Sequence, residues 1–217
     1  MDTAVGIDLS GISRSTRGRT VAAQLVVANP PRLLELLTVT SGLAGDRELV
    51  TWVVERHPLV VAIDAPLTLP HSVLCTKNAC PRCEPGSGEY LSRDVDRLVA
   101  GMPTAMLAAI AFRGIYLARM LRERGVVVIE TYPRAVFRAL GVGETSRLNP
   151  TAARRALTNR ISGVTTSQPD ELDAIAAALA AAEYATRAID GADGTIWRVG
   201  ADQPTSSPDG GDPATGR

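Results

Sequence analysis

The sequence predicts an α/β fold in which a mixed sheet is flanked by helices. Three observations predict it. Apolar runs around Val5–Ile7, Leu59–Ile63 and Val126–Ile129, mostly β-branched, each climb to one carboxylate and then break, as buried strands do. Stretches with helical spacing of apolar residues lie between and after those runs. The chain also opens with strand-like segments joined by a short polar connection, which reads as a hairpin.

At 217 residues the chain makes one domain, or one domain with small insertions, and is long enough to bury a sizeable core. Its 45% hydrophobic and 21% charged residues are those of a soluble globular protein. The formal net charge of zero excludes a global field that draws in nucleic acid, so any polyanion must be held by a local basic patch. Lys77 is the only lysine among 23 basic residues. Arginine suits bidentate phosphate contacts, although a GC-rich genome gives the same bias. The N-terminus lacks a basic segment followed by an apolar run, and no uncharged stretch is long enough to span a membrane. The expected compartment is the cytoplasm, with no membrane partner.

Val5 to Leu9 is the first expected strand, carrying Asp8 just before the Ser10-Gly11 break. The polar segment 14–19 leads into a second strand, Thr20 to Val27, and Leu33 to Thr40 is a third. Gly45 to Arg56 is helical, with Leu49, Trp52 and Val53 on one face. Leu59 to Ile63 is a strand of the type covered on both faces, and it ends in Asp64-Ala65-Pro66. Residues 69–90 form an irregular insertion rich in Pro, Gly and Cys. Ser92 to Val99 is a short helix. Thr104 to Arg124 is the clearest helix, with Met106, Leu107, Ile110, Leu117 and Leu121 on its apolar face and Gly125 closing it. Val126 to Ile129 is a strand that delivers Glu130. Ala135 to Leu140 and Asn149 to Arg160 are further helices. Pro169 opens the last long one, through about Ile189, with Leu172, Ile175, Ala176 and Leu179 on its buried side. Gly194 to Arg198 is a final short strand. Residues 1–200 make the domain, and 201–217, without apolar periodicity, are expected to be a disordered tail.

The chemistry concentrates in the acids Asp8, Asp64, Glu130, Asp170 and Asp173. Parallel neighbouring strands place Asp8 and Asp64 side by side, where two carboxylates repel unless a cation or proton lies between them. Asp170 and Asp173 are three apart at a helix start and share a face. Hard cations such as Mg²⁺ or Mn²⁺ take such oxygen ligands, and two ions held together can promote phosphodiester hydrolysis. Each acid also has a plainer reading. Asp170 and Asp173 suit a helix N-terminus, Asp64 a turn, and Glu130 an arginine partner.

Val-Gly-Ile-Asp-Leu-Ser, Ala-Ile-Asp-Ala-Pro-Leu, Arg93-x-x-Asp96-Arg97, Ile-Glu-Thr-Tyr-Pro and Asp-Glu-Leu-Asp-Ala-Ile-Ala-Ala-Ala together resemble domain-of-unknown-function family 429, in order from about Val5 to Arg198. That family is described as predicted nucleases, and the resemblance implies an RNase H-like mixed sheet. The pattern is also similar to Holliday-junction resolvases, whose acid set Asp8, Asp64, Asp170 and Asp173 match by position. Glu130 looks like a mark of the predicted-nuclease family. The resemblance implies a nuclease activity, phosphate contacts from Arg93 and Arg97, a nucleic-acid partner and, as in resolvase-like enzymes, a homodimer. Arg113 is a further candidate phosphate contact by its chemistry alone. His57, before a proline, is expected to be structural or exposed.

A second constellation, Cys75-x4-Cys80-x2-Cys83 with His71 four residues upstream, lies in the insertion. It suits a Cys₃His zinc site or an iron–sulfur cluster; free thiols or a Cys80–Cys83 redox pair are the alternatives. Two other function classes stay open: an ATP-dependent phosphotransferase or ATPase of the actin-like group, and a non-catalytic metal-binding module.

Overall fold

The computed structural model describes residues 1–11, 18–77, 79–84, 92–93, 95–96, 107–143 and 145–186. Strands β1 (Thr3–Asp8), β2 (Arg19–Val26) and β3 (Arg32–Thr40) pair antiparallel in sequence. Helix α1 (Leu43–Glu55) returns the chain so that β4 (Val60–Asp64) lies parallel to β1. After the one-turn helix α2 (His71–Leu74) and helix α3 (Ala108–Arg122), β5 (Val128–Glu130) lies parallel to β4. Helices α4 (Pro133–Ala139), α5 (Pro150–Thr158) and α6 (Pro169–Thr186) follow. The sheet order is β3-β2-β1-β4-β5. The expected antiparallel opening, helix and parallel additions are therefore present, with ends displaced by a residue or two. Asp64 and Glu130 close their strands instead of following them.

Successive side chains of a strand point to opposite faces, so the sheet has two cores. Ala4, Val21, Ala23, Leu25, Val60, Ala62 and Ile129 pack beneath α6. Val5, Ile7, Leu9, Ala22, Val61, Ile63 and Val128 pack with α1 and α3. At the β3 edge, Glu35 accepts from Trp52 Nε1 and from Arg56, whose guanidinium stacks 4.1 Å from the Trp52 ring centroid, tying α1 to the sheet.

Helix α6 differs from its expected one-sided burial. Leu172 and every residue from Ala174 to Ala182 are at most 3% exposed. The sheet covers one side of it, and α4 and α5 cover the other. A helix apolar all round belongs in the interior, and its small alanines allow close approach. The approach is closest at Gly6. A Cβ there would lie 2.0 Å from the Ala178 backbone nitrogen and 2.3 Å from the Ala174 carbonyl oxygen. Gly6 shares the sheet face of Asp8, two residues on, so this contact also sets how closely α6 brings its acids to β1.

On the other face, Gly114 lets α3 settle on the loop after β4, where a Cβ would meet that of Ala65 at 2.7 Å. Leu117 and Leu121 are buried as expected. Leu107 and Ile110 are only half-buried, because they turn toward a cavity at the sheet edge. Met106, Arg97, Ile189, the expected strand 194–198 and the tail 201–217 lie outside the described residues, as does half of the expected helix 92–99. His57 is exposed, with a positive φ of 45°. Among the described residues no helix is long and apolar enough to cross a membrane.

Candidate active site

The parallel register pairs Asp8 with Asp64 at the carboxyl ends of the two central strands. Sites in open α/β sheets form at such ends. Both residues share the face covered by α6, whose first turns carry Asp170 and Asp173 above them. All four aspartates line one cavity of about 500 Å³.

These acids are held against their chemistry. Burial, followed by the charges of Asp173 and Asp170, pushes Asp8 up from 3.8 to about 8, with Arg147 pulling the other way. Burial and then Asp8, Asp173 and Glu130 push Asp64 well above the carboxylate range. Burial raises Asp173 to about 6, against the neighbouring Ser146 hydroxyl and Arg147. Carboxylates outnumber arginines in the cavity lining, and neither Asp8 nor Asp64 has an ion-pair partner among the described residues, so a divalent cation fits their oxygen donors.

The same imbalance sets a pH dependence. The native state holds protons on Asp8 and Asp173 that the unfolded chain releases near pH 4. The metal-free protein is therefore expected to lose stability as pH rises from about 4 to 8, by roughly 1 kcal/mol per pH unit for each such group in its window. Thermal denaturation in chelator at pH 5, 6.5 and 8 reads this, and a flat or rising trend contradicts it.

Glu130 lines the cavity but stands apart from the aspartates. It pairs with Ile63 in the parallel register, and so shares the face opposite Asp8 and Asp64. There it accepts from the Leu67 backbone N–H at 2.7 Å and from Arg93 at 2.6 and 2.7 Å. The sequence-based role of metal ligand or water-orienting group thus meets a carboxylate already satisfied by an arginine fork.

Arg93, expected to contact phosphate, is only 4% exposed. Its Nε and Nη2 donate to Asp96, its Nη1 and Nη2 to Glu130, and Nη1 also to Thr68 Oγ1. All five N–H groups have internal acceptors, so the residue serves as a clamp between the loop after β4 and β5. Arg113 is likewise buried, bound to Asp46, to Thr20 Oγ1 and to the Ser10 carbonyl oxygen. It fixes the turn after Asp8 and has no free face for a phosphate. Arginines that sequence reading passed over stand at the mouth instead. Arg147 is exposed and pairs with Asp170 at 2.6 Å, and Arg19 lies 3.8 Å from Glu171. Thr131 and Tyr132 also line the cavity, and Thr131 Oγ1 is buried with no hydrogen-bond partner among the described residues. No local spacing marks Arg19 or Arg147. The Thr131-Tyr132 pair was visible as the break after the third acid-bearing strand.

The second constellation also assembles. One ligand atom each from His71, Cys75, Cys80 and Cys83 lies within 4.8 Å of every other, and the three cysteines are free. His71 Nε2 is 3.5 Å from Cys80 Sγ and, with Cys83, pulls that thiol down to about 6.

A model of the family described as "Protein of unknown function (DUF429)" matches residues 6–195. The chain belongs to this family. The match runs from within β1 through α6 and includes all four aspartates, so the acid-lined cavity lies within the DUF429 region. Among solved structures, RuvC of Thermus thermophilus in complex with a Holliday junction substrate is similar at 19% identity and TM-score 0.50, over 86% of this chain and 96% of that one. A second T. thermophilus RuvC structure matches at 16% identity and TM-score 0.49, over 86% and 97%. The likeness places this DUF429 chain in the RuvC-like, RNase H-like fold. No functionally curated protein matches the sequence.

Proposed function

We propose that the protein is a divalent-metal-dependent nuclease that hydrolyses phosphodiester bonds at the Asp8–Asp64 edge. The observation that carries this reading is the in-register pair of half-buried aspartates, without an ion-pair partner among the described residues, capped by Asp173 and Asp170. Asp8, Asp64, Asp170 and Asp173 would hold one or two Mg²⁺ or Mn²⁺ ions through their carboxylate oxygens. Ions bound by these carboxylates would balance their charge and would supply an acidified water for phosphodiester hydrolysis. Asp8, with its raised proton affinity, gives up its proton to solvent when the site loads. Arg147 and Arg19 at the mouth suit phosphate oxygens of the strand on either side of the scissile bond. The half-buried Tyr132 ring offers a stacking face for a base. Arg93 and Glu130 hold the wall in place from behind. The RuvC neighbour was solved with a Holliday junction, which makes branched DNA the first substrate to test. The test is a cleavage screen on branched and linear DNA and RNA with Mn²⁺, run beside Asp64→Asn. Cleavage present in wild type and lost in the variant supports the reading. Cleavage by neither, or equally by both, removes it.

A further inference from the structure

We infer that His71, Cys75, Cys80 and Cys83 form a structural zinc site that staples the insertion onto the wall of the acidic cavity. The inference is independent of the nuclease reading, since it rests on different residues and different donor chemistry. Two short turns build the site. His71 and Cys75 bracket α2, with the Cys75 N–H bonded to the His71 carbonyl oxygen at 2.9 Å. Cys80 and Cys83 bracket a 3₁₀ turn, Pro81–Cys83, with the Cys83 N–H bonded to the Cys80 carbonyl oxygen at 2.8 Å. Each turn points its two ligands the same way, and the two turns face each other.

Geometry selects the metal. Zinc bonds sulfur at about 2.3 Å and nitrogen at about 2.0 Å, so two ligands of one tetrahedral ion lie about 3.5–4 Å apart. A set already within 4.8 Å needs only a small contraction to meet that condition. An iron–sulfur cluster stands between its ligands and holds them farther apart than one ion does, and its all-cysteine preference leaves His71 unexplained. Three thiolates and one imidazole also make a closed donor set, with no position left for substrate, so the role is structural.

The position gives the site a consequence. Thr68 and Leu69 precede its first ligand, and Ser92 and Arg93 follow its last. One cleft joins the site to the clamp: its lining includes the ligand His71 together with Thr68 and Arg93. Thr68 accepts from Arg93, and Leu67 donates to Glu130, so both ends of the insertion end in the clamp behind the aspartates. Zinc would tie the turn at His71 and Cys75, which begins three residues after Thr68, to the turn at Cys80 and Cys83, and so lower the freedom of the segment that leads out of the clamp.

The test uses the full chain purified anaerobically without added metal, with elemental analysis and amide hydrogen exchange. The expected result is one zinc per chain, little iron, and a cobalt-substituted form with thiolate-to-metal charge-transfer absorption. Cys83→Ser should lose that zinc. Removal of zinc from wild-type protein by a strong chelator should speed exchange at 67–77 and 92–93, and re-addition should reverse it. That reversal needs no variant to fold. Stoichiometric iron with cluster absorption, a Cys80–Cys83 disulfide in the purified protein, zinc below about 0.1 per chain, or exchange indifferent to zinc overturns the proposal.

Discussion

Asp64→Asn is expected to do two opposite things: abolish cleavage and make the metal-free protein more stable. Asp64 is half-buried beside Asp8 on the neighbouring strand, with Asp173 above, and every one of these neighbours raises the cost of its charge. Asparagine keeps the shape and removes the charge. At pH 8 in chelator the variant should melt higher by at least about 3 °C, the shift that roughly 1 kcal/mol gives in a chain of this size. In Mn²⁺ the order should reverse, because the wild type gains binding energy that the variant cannot. Cleavage, where the wild type shows it, should fall at least about 100-fold, the scale on which loss of one charge-stabilising group costs an enzyme. Paired thermal melts and cleavage assays check it. An Asp64→Asn protein less stable than wild type without metal would show that the carboxylate is compensated. Function bought at the expense of stability is a common signature of sites.

Gly6→Val is expected to have the largest effect on stability. A side chain at Gly6 enters the backbone of α6, where its first carbon meets Ala178 nitrogen at 2.0 Å and the Ala177 carbonyl carbon at 2.5 Å. Neither atom belongs to a side chain that can turn away. The helix must lift off β1, which opens the larger of the two cores, or the strand must leave the sheet. A loss above about 4 kcal/mol is expected, with failure to accumulate as folded protein at 37 °C as one form of that result. Gly6→Ala adds the same first carbon without the further bulk, so it too should be destabilised, and the fraction that folds carries the functional half of the argument. Asp170 and Asp173 ride on α6, so Mn²⁺ affinity should drop even though no acid is altered. Gly143→Ala, whose added carbon meets nothing within 4 Å, is the control and should stay within about 0.5 kcal/mol of wild type. A Gly6→Ala protein with wild-type stability and metal affinity would mean that the α6–β1 approach does not set the site.

The parts of this molecule that were legible in the sequence are those governed by near neighbours. Asp8 and Asp64 stand out because an apolar strand, an acid and a turn follow each other directly, and the parallel register then brings the two together. The cysteine loop shows in its spacing for the same reason. Glu130 illustrates the limit. Whether a strand's last residue faces one side of the sheet or the other depends on a register of one residue, which a three-residue strand does not fix by itself. Arg93 and Arg113 illustrate another. Each looks like a free cation until its partners are known, and those partners lie 37 residues away at Glu130 and 67 away at Asp46. Exposed Arg19 and Arg147 carry no pattern at all and are brought to the cavity by the turn of the chain alone. Gly6 did carry a signal. A glycine inside a buried strand marks a close backbone approach, and α6, with its run of alanines, is the element that makes it.

The most direct measurement is a calorimetric titration of Mn²⁺ into chelator-treated wild-type protein and Asp8→Asn, each in two buffers of different ionisation enthalpy at pH 7. The acid cluster should bind Mn²⁺ in the wild type with release of a proton, because Asp8 holds one until about pH 8. Asp8→Asn should bind at least about tenfold more weakly and release less. Absence of binding in the wild type, or equal binding with equal proton release in both proteins, would contradict a metal site at the paired aspartates.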